Sequence, residues 1–244
     1  NPGTTINSYA ITPAMTSGLD FNTTTGIITG TPTGVLNQTY SISATTSTGI
    51  VVPNSITIAV NNITYTTTTF TFLAGVAIRP INPTFDPVSL QDTTFAFQDP
   101  APAGLTIGIN TGIINGTMTT VASSGTYTIV VSLTTELTTY TKPVPLTFTV
   151  ADITYTPESY TFLAKATIVP IQPLLIPEGL TGATFAFQAP SPSGLTIGNT
   201  SGIITGAMPT AASSTTYNVV ITLTTDIASY TKPIIFTFTV SNIT

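Results

Sequence analysis

The residue types that catalyse reactions or bind metals are scarce in this chain of 244 residues. It has nine acidic and four basic side chains, and its sequence contains neither histidine nor cysteine. The chain therefore cannot form a Ser-His-Asp or Cys-His nucleophile, an ordinary zinc, copper or haem site, or a disulfide. Paired carboxylates and threonine hydroxyls remain, and a threonine without a neighbouring base is ordinarily a strand residue. We therefore expect no enzymatic activity and no cofactor.

Three acids stand close together in the sequence, at Asp86, Asp92 and Asp99. Calcium requires several converging oxygen ligands, usually with more than one carboxylate. The same stretch recurs 90 residues later, where the equivalent positions hold no acid at all. A metal site or acid-base pair shared by both copies would not tolerate this loss, so we interpret the acids as solvated loop residues and expect no metal.

Two lysines recur at a fixed distance from an acid: Lys142 follows Glu136, and Lys232 follows Asp226, by six residues in each case. Such a recurrence suggests an intramolecular bond between lysine and asparagine, which would require a buried lysine. However, Pro143 is expected to mark a strand start, and exposed lysines at strand edges commonly discourage aggregation. We therefore favour solvated edge lysines.

Asn-x-Ser/Thr sequons, the acceptor motif for N-linked glycans, occur six times, on predicted turns or junctions. A chain with 57 threonines and 18 serines also contains such motifs by chance, so glycosylation and unmodified turns stay open as alternatives. The candidate glycosylation sites are Asn22, Asn37, Asn62, Asn115, Asn199 and Asn242.

Tyrosines offer another kind of site, because exposed rings can stack against sugars. Tyr65 and Tyr140 recur as Tyr155 and Tyr230 and are interpreted as exposed residues near domain ends. Carbohydrate binding is thus a rival function, but packing against a neighbouring domain is the simpler explanation.

The overall composition restricts the partners. A net charge of -5 with four basic residues cannot neutralise a run of phosphates, which excludes nucleic acid as a partner. Hydrophobic residues make up 41% of the chain, which argues against disorder. No apolar run reaches the length of a membrane helix, so we expect no membrane insertion. The opening Asn1-Pro2-Gly3 shows no initiator methionine and no signal peptide, and we interpret it as a processed or excised end.

The chain is built from internal repeats. Residues 63–152 align without a gap to residues 153–242, with 49 of the 90 positions identical. Residues 1–62 form a more divergent copy that lacks the opening stretch of the second, and residues 243–244 repeat the start of another copy. We interpret the chain as a window from a longer tandem array. The alternative is a subunit whose missing first strand is donated in trans by a neighbour.

Alternating apolar and hydroxyl residues predict strands in every copy. The segments Tyr127–Leu133, Val144–Val150 and Ile56–Val60 all alternate with period two. Proline and glycine punctuate the segments between them, and no stretch shows helical periodicity with caps. About seven short strands in roughly 90 residues predict a β-sandwich with Greek-key connections.

Glycine spacing connects these copies to a known family. The segments Gly18–Pro32 and Gly104–Gly116 both contain a Gly-Leu pair and then a Gly-Ile-Ile-x-Gly hairpin. This pattern resembles the immunoglobulin-like, cadherin-related repeats of large bacterial surface proteins. The resemblance implies tandem β-sandwiches that serve as spacers in adhesins, secreted enzymes and surface fibres. The acidic clusters by which cadherins bind calcium at their junctions do not occur here, since each junction offers one acid at most.

The linkers between repeats are predicted to be only two residues long, which makes them stiff. Three sandwiches end to end would form a rod of roughly 100 Å, from about 3.3 Å per strand residue. We expect an extracellular, cell-surface spacer that contacts neighbouring domains of its own chain. Other copies in a fibre stay open as further partners. A polymerising filament subunit completed by strand donation and a carbohydrate-binding module are the alternatives.

Overall fold

The computed structural model of the chain describes residues 5–49, 51–86, 92–136, 138–208 and 213–241. The chain divides into two compact units. The first consists of Asn1–Tyr65 and Pro83–Asp92, and the second consists of Thr66–Asn82 and Thr93–Thr244. Each unit is described by itself below.

Strands account for nearly all regular structure of the described residues, which confirms the all-β fold class. The one helical element there is a 3-10 turn at Val121–Ser123, and no described helix is long and apolar enough to cross a membrane. The first repeat contains β1 (Ile6–Thr12), β2 (Leu19–Phe21), β3 (Ile28–Gly30), β4 (Leu36–Thr46) and β5 (Val51–Val60). Next come β6 (Asn62–Tyr65), β7 (Thr69–Leu73), β8 (Pro83–Asp86), β9 (Thr93–Phe97), β10 (Leu105–Ile107), β11 (Ile114–Gly116), β12 (Gly125–Thr134) and β13 (Thr139–Thr154). The last are β14 (Ser159–Leu163), β15 (Leu174–Ile176), β16 (Ala183–Phe187), β17 (Leu195–Ile197), β18 (Ile204–Gly206), β19 (Ser213–Thr224) and β20 (Ser229–Ser241).

The first unit is built on an antiparallel sheet in the order β1-β4-β5. Two short ladders, β2-β3 and β6-β8, accompany it. Tyr40 at the centre of β4 is 1% exposed. By contrast, Ile56, Ile58 and Val60 on the inward parity of β5 are only half-buried.

The second unit contains two complete copies of this sheet, each with one strand more. In the first copy β9, β12 and β13 are antiparallel, and β7 adds to β13 as a parallel strand with Phe72 opposite Val150. In the second copy β16, β19 and β20 repeat the arrangement, and β14 is parallel to β20. The hairpins β10-β11 and β17-β18 complete the two sandwiches.

Aromatic rings fill the cores of the second unit. The ring centroids of Phe70 and Phe72 lie 5.8 and 5.6 Å from that of Phe148. Phe148 and its counterpart Phe238 are 0% and 1% exposed. Phe148 and Phe238 therefore lie at the centres of their sandwiches.

One strand continues from one repeat into the next. β13 pairs with β12 up to Phe148, and its last residues Asp152–Thr154 pair with β15 of the following repeat. Ala151 and Ile153 are both 0% exposed. The predicted two-residue linker, Ala151-Asp152, is thus part of a strand at this junction, because Ala151 pairs with β7 and Asp152 pairs with β15.

The expectation that Pro143 marks a strand start was wrong, since β13 begins at Thr139 and includes Pro143 and Pro145. The reason is that successive residues of a strand direct their N–H groups to opposite edges of that strand. Thr147, on the same parity, donates its N–H away from β12 to the carbonyl of Thr68. A proline on this parity therefore removes no bond from the β12-β13 ladder.

Threonine hydroxyls lie on the outward face of the sheets and bond across strands. The hydroxyl pairs Thr39–Thr57 and Thr126–Thr147 are both 2.9 Å apart. Such cross-strand pairs satisfy hydroxyl groups on the outward face of a chain in which only 5% of the residues are charged.

Candidate functional site

The acidic residues singled out by the sequence lie exposed, as expected, but the expectation that all three are loop residues was wrong for Asp86. Asp86 is in β8, Asp92 occupies a turn with φ of 55°, and Asp99 follows β9. Within the described ranges, three or more acids do not come together as potential ligands anywhere. The geometry therefore offers no support for a metal site or a carboxylate pair.

Four of the six sequon asparagines lie exposed: Asn22, Asn37, Asn115 and Asn199. Asn22 and Asn199 occupy turns, and the Oδ1 of Asn22 accepts bonds from the N–H groups of Thr24 and Thr25, both 2.9 Å.

The expectation that all the sequons lie on turns or junctions was wrong for two of them, since Asn37 is in β4 and Asn115 is in β11. Asn62 is half-buried in β6 and faces Asp86 across a ladder, which leaves less room for a glycan. Asn242 lies outside the described residues.

A salt bridge joins the second and third repeats inside the second unit. The Nζ of Lys232 lies 3.0 Å from Oδ1 of Asp152, and the two side chains are 28% and 26% exposed. The same carboxylate oxygen accepts the N–H of Ile153 at 2.9 Å. The acid next to Lys232 is thus Asp152 of the junction, not Asp226 as the sequence spacing suggested. The sequence could not reveal this pair, because 80 residues separate its members.

Lys142, the counterpart of Lys232, lies exposed on β13, as expected for an edge lysine. By contrast, Val144 and Leu146, which are two and four residues further along β13, are 8% and 0% exposed. The buried setting that an isopeptide bond requires is therefore missing at Lys142. At Lys232 the facing group is a carboxylate and not an amide.

The interpretation of the four recurring tyrosines as exposed was wrong for three of them. Tyr65, Tyr155 and Tyr230 are 6%, 2% and 4% exposed, whereas Tyr140 is 61% exposed. Burial raises the pKa of Tyr65 and of Tyr155 above the usual value. A row of sugar-stacking tyrosines therefore does not form.

Tyr155 and Tyr230 have different structural roles. The hydroxyl of Tyr155 donates to the carbonyl of Gly202, and its ring packs edge-on against Phe236 at 4.9 Å, so it belongs to the core of its own repeat. The ring of Tyr230 instead packs edge-on against Phe72 of the preceding repeat, with centroids 6.1 Å apart. Burial raises the pKa of Tyr230, and a hydrogen bond from the Arg79 backbone together with the Arg79 charge partly opposes this.

Beside Tyr230 lies a cavity of about 160 Å³, lined by residues of both repeats, among them Arg79, Phe72 and Ile227. Ligand pockets ordinarily measure roughly 300–1,000 Å³. The cavity is therefore a packing gap of the junction. In the third repeat, the surface beside β14 that corresponds to this cavity is an open groove of about 450 Å³. Val169 in this groove is 83% exposed.

Comparison with known proteins identifies the repeats as Ig-like domains. The model of a family described as "Putative Ig domain" matches the chain three times in tandem, over residues 1–61, 61–151 and 151–241. No curated protein matches the chain.

Solved structures with tandem Ig or cadherin domains resemble the chain at low identity. Drosophila N-cadherin EC1-4 is 13% identical with a TM-score of 0.30, covering 100% of this chain and 68% of its own. The I-band fragment I67-I69 of titin is 12% identical with a TM-score of 0.33, covering 100% and 89%. The three N-terminal domains of the bacteriophage RB49 Hoc capsid protein are 10% identical with a TM-score of 0.44, covering 97% and 88%.

Proposed function

Because the chain belongs to the Ig-domain family whose model it matches in three tandem segments, we propose that it is a structural spacer. Tandem Ig-like and cadherin-like domains are typical of extracellular structural and adhesion modules. In this proposal the chain forms part of a stalk, adhesin or surface filament, and it holds an active tip away from the cell. It performs no catalysis itself.

The observation that carries the proposal is the parallel pairing of the opening and closing strands of a repeat. β7 opens the second repeat's sheet and runs parallel to the closing strand β13, over Thr69–Leu73 and Thr147–Ala151. The third repeat has the same arrangement, with β14 parallel to β20. When the ends of such a repeat are pulled, the two strands slide against each other, so several hydrogen bonds are loaded together. This geometry suits a protein that bears tension.

The junction within the second unit supports the same role. β13 crosses it without a break, and the contacts Lys232–Asp152 and Tyr230–Phe72 join the second and third repeats there. Such contacts resist bending because both a charged and an aromatic pair must separate. The partners in this proposal are therefore neighbouring domains and, in a fibre, further copies, with no role for nucleic acid.

Single-molecule pulling on the full chain tests the proposal. Thr149 lies two residues beyond Thr147, so its N–H points towards β7. Thr149→Pro removes one of the loaded bonds and should lower the unfolding force of one repeat. Thr141→Pro is the matched control, because it places proline on the same parity of β13 but before the stretch that pairs with β7. Equal forces for both variants and the unchanged chain would contradict a load-bearing β7-β13 pair.

Electron microscopy of the purified chain separates a spacer from a polymer. Isolated beaded particles favour the spacer, whereas regular helical fibres favour a subunit that polymerises.

A further inference from the structure

The main sheets of the second and third repeats have an outward face without charged side chains. The strands of these sheets, β7, β9, β12, β13, β14, β16, β19 and β20, contain three charged residues: Lys142, Asp152 and Lys232. Each of them has the parity of the core residues of its strand, such as Phe148 and Phe236. Globular domains have about 25% charged residues, so a whole sheet face without any is unusual.

Hydroxyl groups of this face bond to each other within the sheet. In the second repeat, the hydroxyl oxygens of Thr126 and Thr147 lie 2.9 Å apart. Four further pairs lie at 3.1–3.5 Å: Thr134–Thr139, Ser214–Thr239, Thr216–Thr237 and Thr224–Ser229. A polar group that is already hydrogen-bonded costs little to bury, whereas an unpaired one loses its hydration without compensation. The face can therefore give up its water at a low cost.

A band of small apolar residues crosses the middle of the face. In the second repeat, Ala96, Val130 and Pro143 lie side by side on β9, β12 and β13. The third repeat has the same residue types in the same register on β16, β19 and β20: Ala186, Val220 and Pro233. The alanines and prolines are exposed, and the valines are half-buried. Each of the two repeats thus presents one apolar band at the same place.

The next repeat of the chain does not cover this face. The third repeat contacts the second at their junction, through the pairs Lys232–Asp152 and Tyr230–Phe72. Ala96 of the second repeat stays exposed beside it. The band is therefore available to another molecule even where the following repeat is in place.

Prolines exclude a partner strand from the edge of β13 beside the band. Pro143 and Pro145 lie on the parity of β13 that directs its N–H groups away from β12, so neither position offers a donor at that edge. Natural sheets use proline in this way against edge pairing. A partner of the second repeat therefore binds the face and not this edge.

The area of the face is sufficient for a specific interface. At about 3.3 Å per residue and about 4.8 Å between strands, β7, β9, β12 and the part of β13 up to Thr149 cover roughly 500 Å². Two such faces in contact bury roughly 1,000 Å², which is the lower limit for a specific protein–protein interface. A partner that contacts both repeats buries about twice this area, and its second contact forms at a high effective concentration.

We propose that this outward face binds the same face of a second copy of the chain, sheet against sheet. Twisted sheets pack in this way in β-sandwiches, about 10 Å apart and with their strands within about 30° of each other. A second copy fits because its face has no charge to desolvate and carries apolar bands at the same interval along the chain. The proposal rests on the proposed function, in which further copies are partners in a fibre, and it names the surface that holds them.

Sedimentation equilibrium of the full chain, from micromolar to millimolar concentration, tests the proposal and should show reversible dimers. Val130→Lys combined with Val220→Lys should raise the Kd of the dimer at least tenfold, because both contacting faces then carry positive charge at their centres. Circular dichroism checks that this variant keeps its strands.

Ile109→Lys combined with Val169→Lys is the matched control. It adds the same charge at side chains that are 63% and 83% exposed and lie in loops outside the face. The Kd of its dimer should stay within twofold of that of the unchanged chain. Equal weakening by the two lysine variants would contradict binding through the face.

Val130→Glu combined with Val220→Glu covers the case in which lysine itself perturbs the sheet. A mixture of the lysine and glutamate variants should form heterodimers at least tenfold more tightly than either variant dimerises alone, because opposite charges then face each other. A mixture without heterodimers overturns the proposal.

An unchanged chain that stays monomeric at millimolar concentration also overturns it. This result would leave the load-bearing pair of β7 and β13 unaffected, because pulling on single molecules tests that pair separately. Saturable binding of a polysaccharide by a monomeric chain, abolished by Val130→Lys with Val220→Lys, would assign the face to sugars and overturn the proposal as well.

Discussion

The second and third repeats hold different residues at one turn position with a left-handed backbone. Lys165 has φ of 63° in the turn after β14, and its counterpart Gly75 has φ of 76° in the turn after β7. A side chain in this left-handed region costs roughly 1–2 kcal/mol, whereas glycine adopts it freely. A Cβ added at Gly75 would meet no atom within 4 Å, so the difference is purely conformational.

Lys165→Gly should therefore raise the free energy of unfolding of the third repeat by about 1 kcal/mol. The reciprocal change, Gly75→Ala, should lower that of the second repeat by a similar amount. Urea unfolding followed by circular dichroism measures both. Stabilisation by Gly75→Ala would show that the left-handed strain is not the governing effect.

At the scale of elements, the hydroxyl-rich strands and their turns follow from local pattern, but their partners do not. The alternation in Val144–Val150 predicts which residues face the core, and Leu146 and Phe148 are indeed fully buried. The same pattern does not reveal that β13 continues to Thr154 and pairs with β15, because that pairing depends on the approach of the next repeat. The Lys232–Asp152 pair depends on this approach as well.

Lys232→Met and Asp152→Asn should show coupling in a double-mutant cycle. Partly exposed ion pairs contribute about 0.2–1 kcal/mol, and the coupling should shrink at high salt because the charges are screened. The unfolding free energy of the four chains, measured at low and at 1 M salt, gives the coupling. A coupling near zero at low salt would mean that the junction is held by Tyr230 and β13 alone.

At the scale of the whole molecule, low charge leaves few protease sites. Arg79, Lys142 and Lys232 are each followed by proline, which blocks trypsin, so Lys165 is the single conventional site. Its N–H bonds to the carbonyl of Met208 at 3.2 Å, which holds the turn in place. Cleavage there requires the turn to open locally.

Trypsin should therefore cut the native chain slowly and only after Lys165, giving fragments 1–165 and 166–244. Lys165→Gly should leave the chain intact under the same conditions. Gel electrophoresis and mass spectrometry of the digest identify the fragments, and rapid cutting at several places would contradict a folded tandem array.

The sequence by itself determined the repeats, the β-class and the family. The alternation of apolar and hydroxyl residues and the glycine spacing are local properties that recur in each copy. It also predicted exposed loop acids correctly at Asp92 and Asp99, whereas Asp86 is exposed but lies in β8. Only the tertiary structure decided that Tyr65, Tyr155 and Tyr230 are buried and that Lys232 pairs with Asp152. These features arise where segments distant in sequence meet, and burial and pairing there depend on the neighbour that each segment finds.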